Sequence, residues 1–260
     1  MTPAIDVKSL GYVYPGGRVA LHDVTFSVAP GECVAILGPN GAGKSTLLLH
    51  LNGLLPEKAP GCPAVRVHGM PVQADTLYRI RQRVGFLFQD PDDQLISATV
   101  FEDVAFGPRQ LGVSGAGLQA VVEESLRISG LDGFVDREPH RLSHGEKRRV
   151  CLAGVLACKP DVLVLDEPTS DLDPRGRREL KRMLASLPVA RIIATHDLEL
   201  AVDLCARSIV LDHGTIVAQG PTIELLSDEE LMLRHGLERP HSLLHRHPHR
   251  QEPAGPGGNN

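Results

Sequence analysis

Apolar and polar residues alternate at the start of the chain: Ile5 and Val7, then Val24, Phe26 and Val28, are each separated by a polar neighbour. A period of two predicts strands with one buried face. Pro30 and Gly31 mark a turn, after which Cys33, Val34, Ala35, Ile36 and Leu37 form an unbroken apolar run, the pattern of a strand buried on both faces. Similar short runs recur at 84–88, 162–165 and 191–195, Val65 and Val67 precede a turn at His68 and Gly69, and 209–217 reads as a hairpin turning at Gly214. Between about 90 and 160 the period lengthens to that of a helix. This stretch is expected to be a mainly helical lobe, with a loop at 112–117, an amphipathic segment at 121–128 and Gly130 as a stop. Ser143 and Glu146 form a capping box that opens a helix running through Val150, Leu152, Val155 and Leu156. From Thr222 to about His235 one amphipathic helix is expected, and 239–260, rich in His, Pro and Gly, reads as a disordered tail.

The chemistry begins where the apolar run ends. Gly38-Pro39-Asn40-Gly41-Ala42-Gly43-Lys44-Ser45-Thr46 fits G-x-x-x-x-G-K-[ST] between a strand and a helix. A polyphosphate is gripped best by a ring of backbone N–H groups, and glycines let the backbone curl that closely. Lys44 brings a positive charge to the β- and γ-phosphates, Ser45 offers a hydroxyl to Mg²⁺, and the helix from Thr46 adds its N-terminal dipole. The 162–165 strand ends in Asp166 and Glu167. Asp166 suits a water-mediated Mg²⁺ contact and Glu167 suits polarising a water that attacks the γ-phosphate. Gln89 and His196 also follow apolar strands, where ligand-contacting residues of open α/β sheets collect.

Composition narrows the class. The 260 residues are 42% hydrophobic and 23% charged, with a net charge of -5 and only 3% aromatic residues. A nucleic-acid binder would show a basic footprint, so no nucleic-acid partner is expected, and the clusters Lys147-Arg148-Arg149 and 175–182 read as solvated helix faces. Five cysteines without a C-x-x-C pair suggest reduced thiols packed in the core. No apolar run approaches the ~18 residues of a membrane-spanning helix.

The ordered set of phosphate loop, Gln89, Leu142-Ser143-His144-Gly145-Glu146, Asp166-Glu167, Ser170-Asp171-Leu172-Asp173 and His196 resembles the ATPase subunits of ABC transporters over residues 4–220. The resemblance implies an α/β fold of the P-loop NTPase type, with a RecA-like core sheet, an N-terminal antiparallel β subdomain and a helical signature subdomain at about 90–160, followed by a helical extension at 221–238. It implies an ATPase coupled to transport, using ATP and Mg²⁺ and working as a head-to-tail dimer with a second ATPase subunit, identical or related. On this analogy Tyr14 stacks on adenine, and Gly38, Asn40, Gly41, Gly43, Lys44, Ser45 and Thr46 hold the phosphates. Ser45, Gln89 and Asp166 serve Mg²⁺, while Glu167, His196 and Gln89 act in hydrolysis. Ser143 and Gly145 complete the partner's site, and Asp173 belongs to a loop crossing the dimer. His144 and Glu146 replace the family's usual Gly and Gln, which bears on ATP affinity and pH response at that half-site. Asp171 stands where a small residue is usual.

A narrower resemblance lies in Phe88-Gln89-Asp90-Pro91-Asp92-Asp93-Gln94-Leu95, the following 100–108 segment, 152–156 and Gly236-Leu237-Glu238-Arg239-Pro240. These look like the energy-coupling-factor importers, especially the cobalt and nickel group. The resemblance implies a transmembrane scaffold subunit, a membrane substrate-capture subunit and a peripheral position on the cytoplasmic face of the cell membrane. His241, His245, His247 and His249 add candidate ligands for such ions. The alternatives are a motor for a conventional permease and a soluble ABC ATPase acting on nucleic acid or ribosomes; the stretch between Gln89 and Leu142 is too short for the coiled coil of repair-type members.

Overall fold

The computed structural model describes residues 1–56 and 64–244. In chain order the strands and helices are β1 (Ile5–Val13), β2 (Val19–Val28), β3 (Cys33–Leu37), α1 (Lys44–Leu51), β4 (Val65–Val67), β5 (Met70–Pro71), α2 (Leu77–Arg83), β6 (Val84–Leu87), α3 (Val100–Gln110), α4 (Gly115–Ile128), α5 (His144–Ala157), β7 (Val162–Asp166), α6 (Pro174–Ser186), β8 (Ala190–Ala194), α7 (Leu198–Leu204), β9 (Arg207–Asp212), β10 (Thr215–Pro221), α8 (Thr222–Ser227), α9 (Glu229–Arg234) and α10 (His241–Leu244). They form an antiparallel sheet in the order β2-β1-β4-β5 and a second sheet in the order β10-β9-β3-β8-β7-β6. In the second sheet only the β9–β10 pair is antiparallel. The expected α/β class, with its antiparallel β subdomain and RecA-like sheet, is what the chain adopts.

Side-chain direction along β3 explains the layering. Val34 and Ile36 point to one face, where Leu47, Leu48 and Leu51 of α1 pack together with Val7, Phe26 and Val28 of the antiparallel sheet. Ala35 and Leu37 point to the other, against Leu180 and Leu184 of α6, Leu200 of α7, and Leu226, Met232 and Leu237 from the end of the described chain. A strand with apolar layers on both sides must be apolar at every position, as β3, β7 and β8 nearly are. The helices α3, α4 and α5 close around their own core of Val104, Leu118, Val122, Leu126, Leu131 and Val150. The helix α5 belongs to both bodies, because its Cys151, Leu152 and Val155 join the core beneath the sheet.

Three expectations change. The loop expected at 112–117 ends early: α4 begins at Gly115, and Leu118 in its first turn is already buried. The single helix expected from Thr222 to His235 is two, because Asp228 leaves helical geometry and its side chain accepts a hydrogen bond from Leu231 N at 3.0 Å, starting α9 afresh. Residues 239–244 are ordered, with Arg239 paired to Glu229 at 3.4 Å and Ser242 N donating to Glu199 at 3.0 Å. The remainder of that tail, including His245, His247 and His249, lies outside the described residues. Cys33 and Cys151 are buried as expected, and the Cys33 and Cys205 sulfurs lie 3.3 Å apart. Among the described residues no helix is long and apolar enough to cross a membrane.

Because Leu126 fills a small core that serves the helical lobe, Leu126→Ala is expected to destabilise the protein by about 2–5 kcal/mol, read by urea denaturation with tyrosine fluorescence. A loss below about 1 kcal/mol would mean that this core is not closely packed.

Candidate functional site

The loop after β3 is shaped by close backbone contacts. Gly38 has φ 153°, and a Cβ there would lie 2.1 Å from the Leu211 carbonyl oxygen on β9. Gly43 has φ 103° and would bring a Cβ to 2.7 Å from the Ala20 carbonyl oxygen on β2. Glycine is therefore required at both positions on steric as well as torsional grounds. The Lys44 side chain is 7% exposed, and its Nζ donates to the carbonyls of Gly38 at 2.7 Å and Pro39 at 3.2 Å. Burial pulls the Lys44 ammonium pKa below its ordinary value, while Glu167 and then Asp166 act in the opposite direction.

The β7 end supplies the opposing charge. Asp166 is 6% exposed. Its carboxyl pKa is pushed up, first by burial; Glu167 adds to the rise, and a Ser45 hydrogen bond and the Lys44 charge oppose it. Asp166 Oδ1 is buried with no hydrogen-bond partner. A partnerless carboxylate oxygen beside a serine hydroxyl is a donor set suited to a hard cation such as Mg²⁺. Glu167, 5% exposed, takes the left-handed backbone region at φ 47°. Its Oε2 accepts from Thr195 Oγ1 at 3.1 Å and from His196 N at 3.2 Å, and lies 2.9 Å from His196 Nδ1.

These groups line one cleft of about 700 Å³. The phosphate-loop residues from Gly38 to Thr46, other than Ala42, meet Gln89, Asp166, Glu167 and His196 there. Ser143, Gly145 and Asp173 line a different cleft of about 630 Å³, together with Arg149 and Arg175. At the head of α5, Ser143 Oγ accepts from Glu146 N at 3.4 Å and Ser143 N donates to Glu146 Oε2 at 2.8 Å, completing the expected capping box, and Ser143 Oγ also donates to that oxygen at 2.7 Å. The Ser143 hydrogen bonds, with help from Arg137 and Arg149, hold the Glu146 carboxyl below its usual range. Asp173 caps α6, accepting from Gly176 N at 2.7 Å.

Tyr14 does not line the first cleft. Its hydroxyl is hydrogen-bonded to Thr46 Oγ1 at 2.9 Å, and its ring meets Tyr12 edge-on. Arg18 and Gly236, Leu237 and Glu238 line the cleft and were not anticipated. The reading of Lys147-Arg148-Arg149 as a solvated face fails at its centre. Arg148 is 2% exposed and donates to the main-chain oxygens of Glu167 and Gln89. Its neighbours are half-buried in ion pairs, Lys147 with Asp92 at 2.6 Å and Arg149 with Glu179 at 2.9 Å. The helical period of α5 separates Arg148 from both, and its spacing from Cys151 and Leu152 was the available signal.

The ABC transporter family profile matches residues 21–170. The chain belongs to the ABC transporter family. This ABC ATPase is 54% identical over 237 residues to a Streptomyces coelicolor protein assigned to the ABC transporter ATP-binding proteins, covering 91% of this chain and 90% of that relative. It is 45% identical over 249 residues to the energy-coupling factor transporter ATP-binding protein EcfA of Methanothermobacter thermautotrophicus, covering 93% and 79%. Among solved structures, cbiO1 from Clostridium perfringens, part of the ABC transporter complex cbiONQ, superposes with a TM-score of 0.78 at 35% identity, covering 90% of this chain and 94% of that one. The dimeric ATP-binding cassette MJ0796, bound to ADP and Pi, gives 0.75 at 28% identity over 84% of this chain and 98% of that one. The protein is thus an ATP-binding ABC ATPase of a transporter, a class whose members dimerise and partner with transmembrane subunits.

Gly38→Ala is expected to abolish ATP binding, read as loss of the fluorescence rise of trinitrophenyl-ATP; retained binding would show that the loop tolerates the clash. Asp166 provides a pH test. With its folded pKa raised, the nucleotide-free native state binds this proton more tightly than the unfolded chain, so the associated stability is full below the ordinary carboxylate range and is lost as pH rises through the folded value. At neutral pH the carboxylate weakens the fold. Asp166→Asn should therefore raise the Tm measured without nucleotide while Mg²⁺-dependent hydrolysis is lost, and an unchanged or lower Tm counts against this assignment.

Proposed function

We propose that this chain is the ATP-hydrolysing motor subunit of an energy-coupling-factor importer, with cobalt or nickel ions as the transported solute. The observation that carries the motor chemistry is the convergence of Lys44, Ser45, Gln89, Asp166, Glu167 and His196 on one cleft, away from the one that holds Ser143. The energy-coupling-factor reading is supported by the EcfA relative and the cbiO1 neighbour.

In this reading the loop from Gly38 to Thr46 wraps the ATP phosphates and Lys44 bears on the β- and γ-phosphates, while Tyr14, bonded to Thr46 and outside the cleft lining, is not assigned to the adenine. Ser45, Gln89 and, through water, Asp166 would hold the nucleotide's Mg²⁺, which would supply charge neutralisation at the phosphates. Glu167 polarises the attacking water. Its carboxylate is already fixed by Thr195 and His196, so little reorientation remains for the reaction. His196 contacts the γ-phosphate. Ser143 and Gly145 of the partner subunit close over that phosphate, with Asp173 at the crossing loop. A homodimer and a pair with a related ATPase both satisfy this arrangement.

Coupling to the membrane runs through the groove beside Gln89. A cavity of about 370 Å³ there is lined by Phe86, Phe88, Ile96, Phe106 and Val155 among others. Ile96 and Phe106 are exposed, as expected of residues awaiting an apolar partner. A coupling helix of the transmembrane scaffold subunit fits this chemistry. The ATPase then sits peripherally on the cytoplasmic face of the cell membrane, beside a membrane substrate-capture subunit.

Glu167→Gln is expected to lower kcat by about 10²- to 10⁴-fold while ATP binding persists; normal turnover would remove Glu167 from the mechanism. Purification of the untagged complex from native membranes, followed by mass spectrometry, should recover a multi-helix scaffold and a small capture protein. Two copies of an ordinary permease would overturn the energy-coupling-factor reading.

A further inference from the structure

The two clefts are not independent within one chain. Arg148 lies in the second turn of α5, the helix whose first residues line the cleft containing Ser143. Arg148 itself borders that cleft, while its guanidinium reaches the main chain of two residues that line the nucleotide cleft. Nη1 donates to the Glu167 carbonyl at 2.9 Å and Nη2 to the Gln89 carbonyl at 2.8 Å. Those residues end two neighbouring strands, β7 and β6, and both line the nucleotide cleft.

The energetics argue against a casual contact. A buried guanidinium is stable only when its charge and N–H groups are met. Here the fork meets main-chain oxygens, no carboxylate forms an ion pair with it among the described residues, and Nε has no hydrogen-bond partner. Burial accordingly pulls its pKa down, with Cys151, Asp171, Asp90 and Glu167 opposing at longer range. An apolar side chain could fill this space without leaving a charge to satisfy. What it could not do is fix two backbone segments at once, one of them the strained φ 47° residue that carries Glu167.

We infer that Arg148 is a positioning residue that joins the two half-sites of one chain: its planar fork ties the helix headed by Ser143 to the backbones of Gln89 and Glu167. Contact of Ser143 with the partner's nucleotide is thereby transmitted to the residues that act on the chain's own nucleotide. The fork of Arg148 is taken up by those two carbonyls, so its part is to hold them. The inference rests on the assignment of Glu167 and Gln89 to hydrolysis made above.

The test uses the full-length chain in its membrane complex. Arg148→Lys keeps the charge, but an ammonium cannot present two parallel donors to both carbonyls. It is expected to lower kcat about tenfold or more while KM for ATP and the affinity for trinitrophenyl-ATP stay within about twofold. In an E167Q background the same substitution should change residual single-turnover hydrolysis by less than about twofold, because the group it positions is gone. Arg148→Gln, which removes the buried charge, guards against a folding defect of the lysine variant; it should show the same kcat loss with a Tm no lower than wild type. Wild-type kcat in R148K overturns the inference. So does an equal loss in both backgrounds, or a fall in nucleotide affinity that tracks Tm in both variants. If E167Q alone leaves turnover intact, the assignment of Glu167 falls instead; if E167Q abolishes turnover and R148K does not, only the inference about Arg148 fails.

Discussion

Three charged side chains, Lys44, Asp166 and Glu167, are buried together where β3 and β7 end, and the rest of the structure is arranged so that they can be. Taking an isolated ion out of water costs several kcal/mol even after relaxation. The ammonium offsets part of this for both carboxylates, and the Thr195 hydroxyl and the His196 main-chain N–H offset more for Glu167. The sheet order matters for that reason. With β8 between β3 and β7, the residues that hold Glu167 arrive from the strand next door, and the loop that carries Lys44 rises one strand further on. The close packing of Gly38 on β9 and Gly43 on β2 then fixes the loop against both sheets.

The helical lobe has its own apolar core, yet it is not a separate body, because α5 lends side chains to two cores. Its N-terminal end faces the cleft of Ser143 and Asp173, its middle carries Arg148 into the neighbourhood of Glu167, and Val155 reaches the groove that contains Phe86 and Phe106. One helix thus borders three surfaces with different tasks. The glycine at 85 allows it to come this near to β6: a Cβ there would lie 2.4 Å from Val155 Cγ1.

Features set by local sequence were readable in advance. The apolar runs gave β3, β7 and β8, because a strand enclosed on both sides has no room for polar alternation. The spacing of Gly38, Gly43, Lys44 and Ser45 identified the phosphate loop, and Ser143 with Glu146 identified the start of α5. What escaped depended on which way a side chain faces. Arg148 sits between two half-buried, ion-paired cations, and a run of basic residues says nothing about which member turns furthest inward until the helix phase is fixed by its neighbours. Asp228 reads equally well as the polar face of a long helix or as the cap that divides it. Tyr14, expected on the adenine by resemblance, has its hydroxyl bonded to Thr46 and lies outside the cleft lining. The contribution of Gly236 to Glu238 to the nucleotide cleft depends on a return of the chain from the edge strand β10 to the loop after β3, which no local pattern records.

The position of β3 has a consequence for how the protein is made. Both of its partners in the sheet, β8 and β9, come from residues 190–212, so this wholly apolar strand is synthesised long before anything exists for it to pair with. Parallel pairing of segments so far apart in sequence forms slowly, and unpaired apolar strands are exposed to aggregation in the meantime. The antiparallel pair β1–β2 and the three-helix lobe rest on nearer contacts and can form while the ribosome is still at work. The phosphate-binding strand can only be locked in afterwards. Nucleotide therefore has no finished site to bind until residues 190–212 have been made.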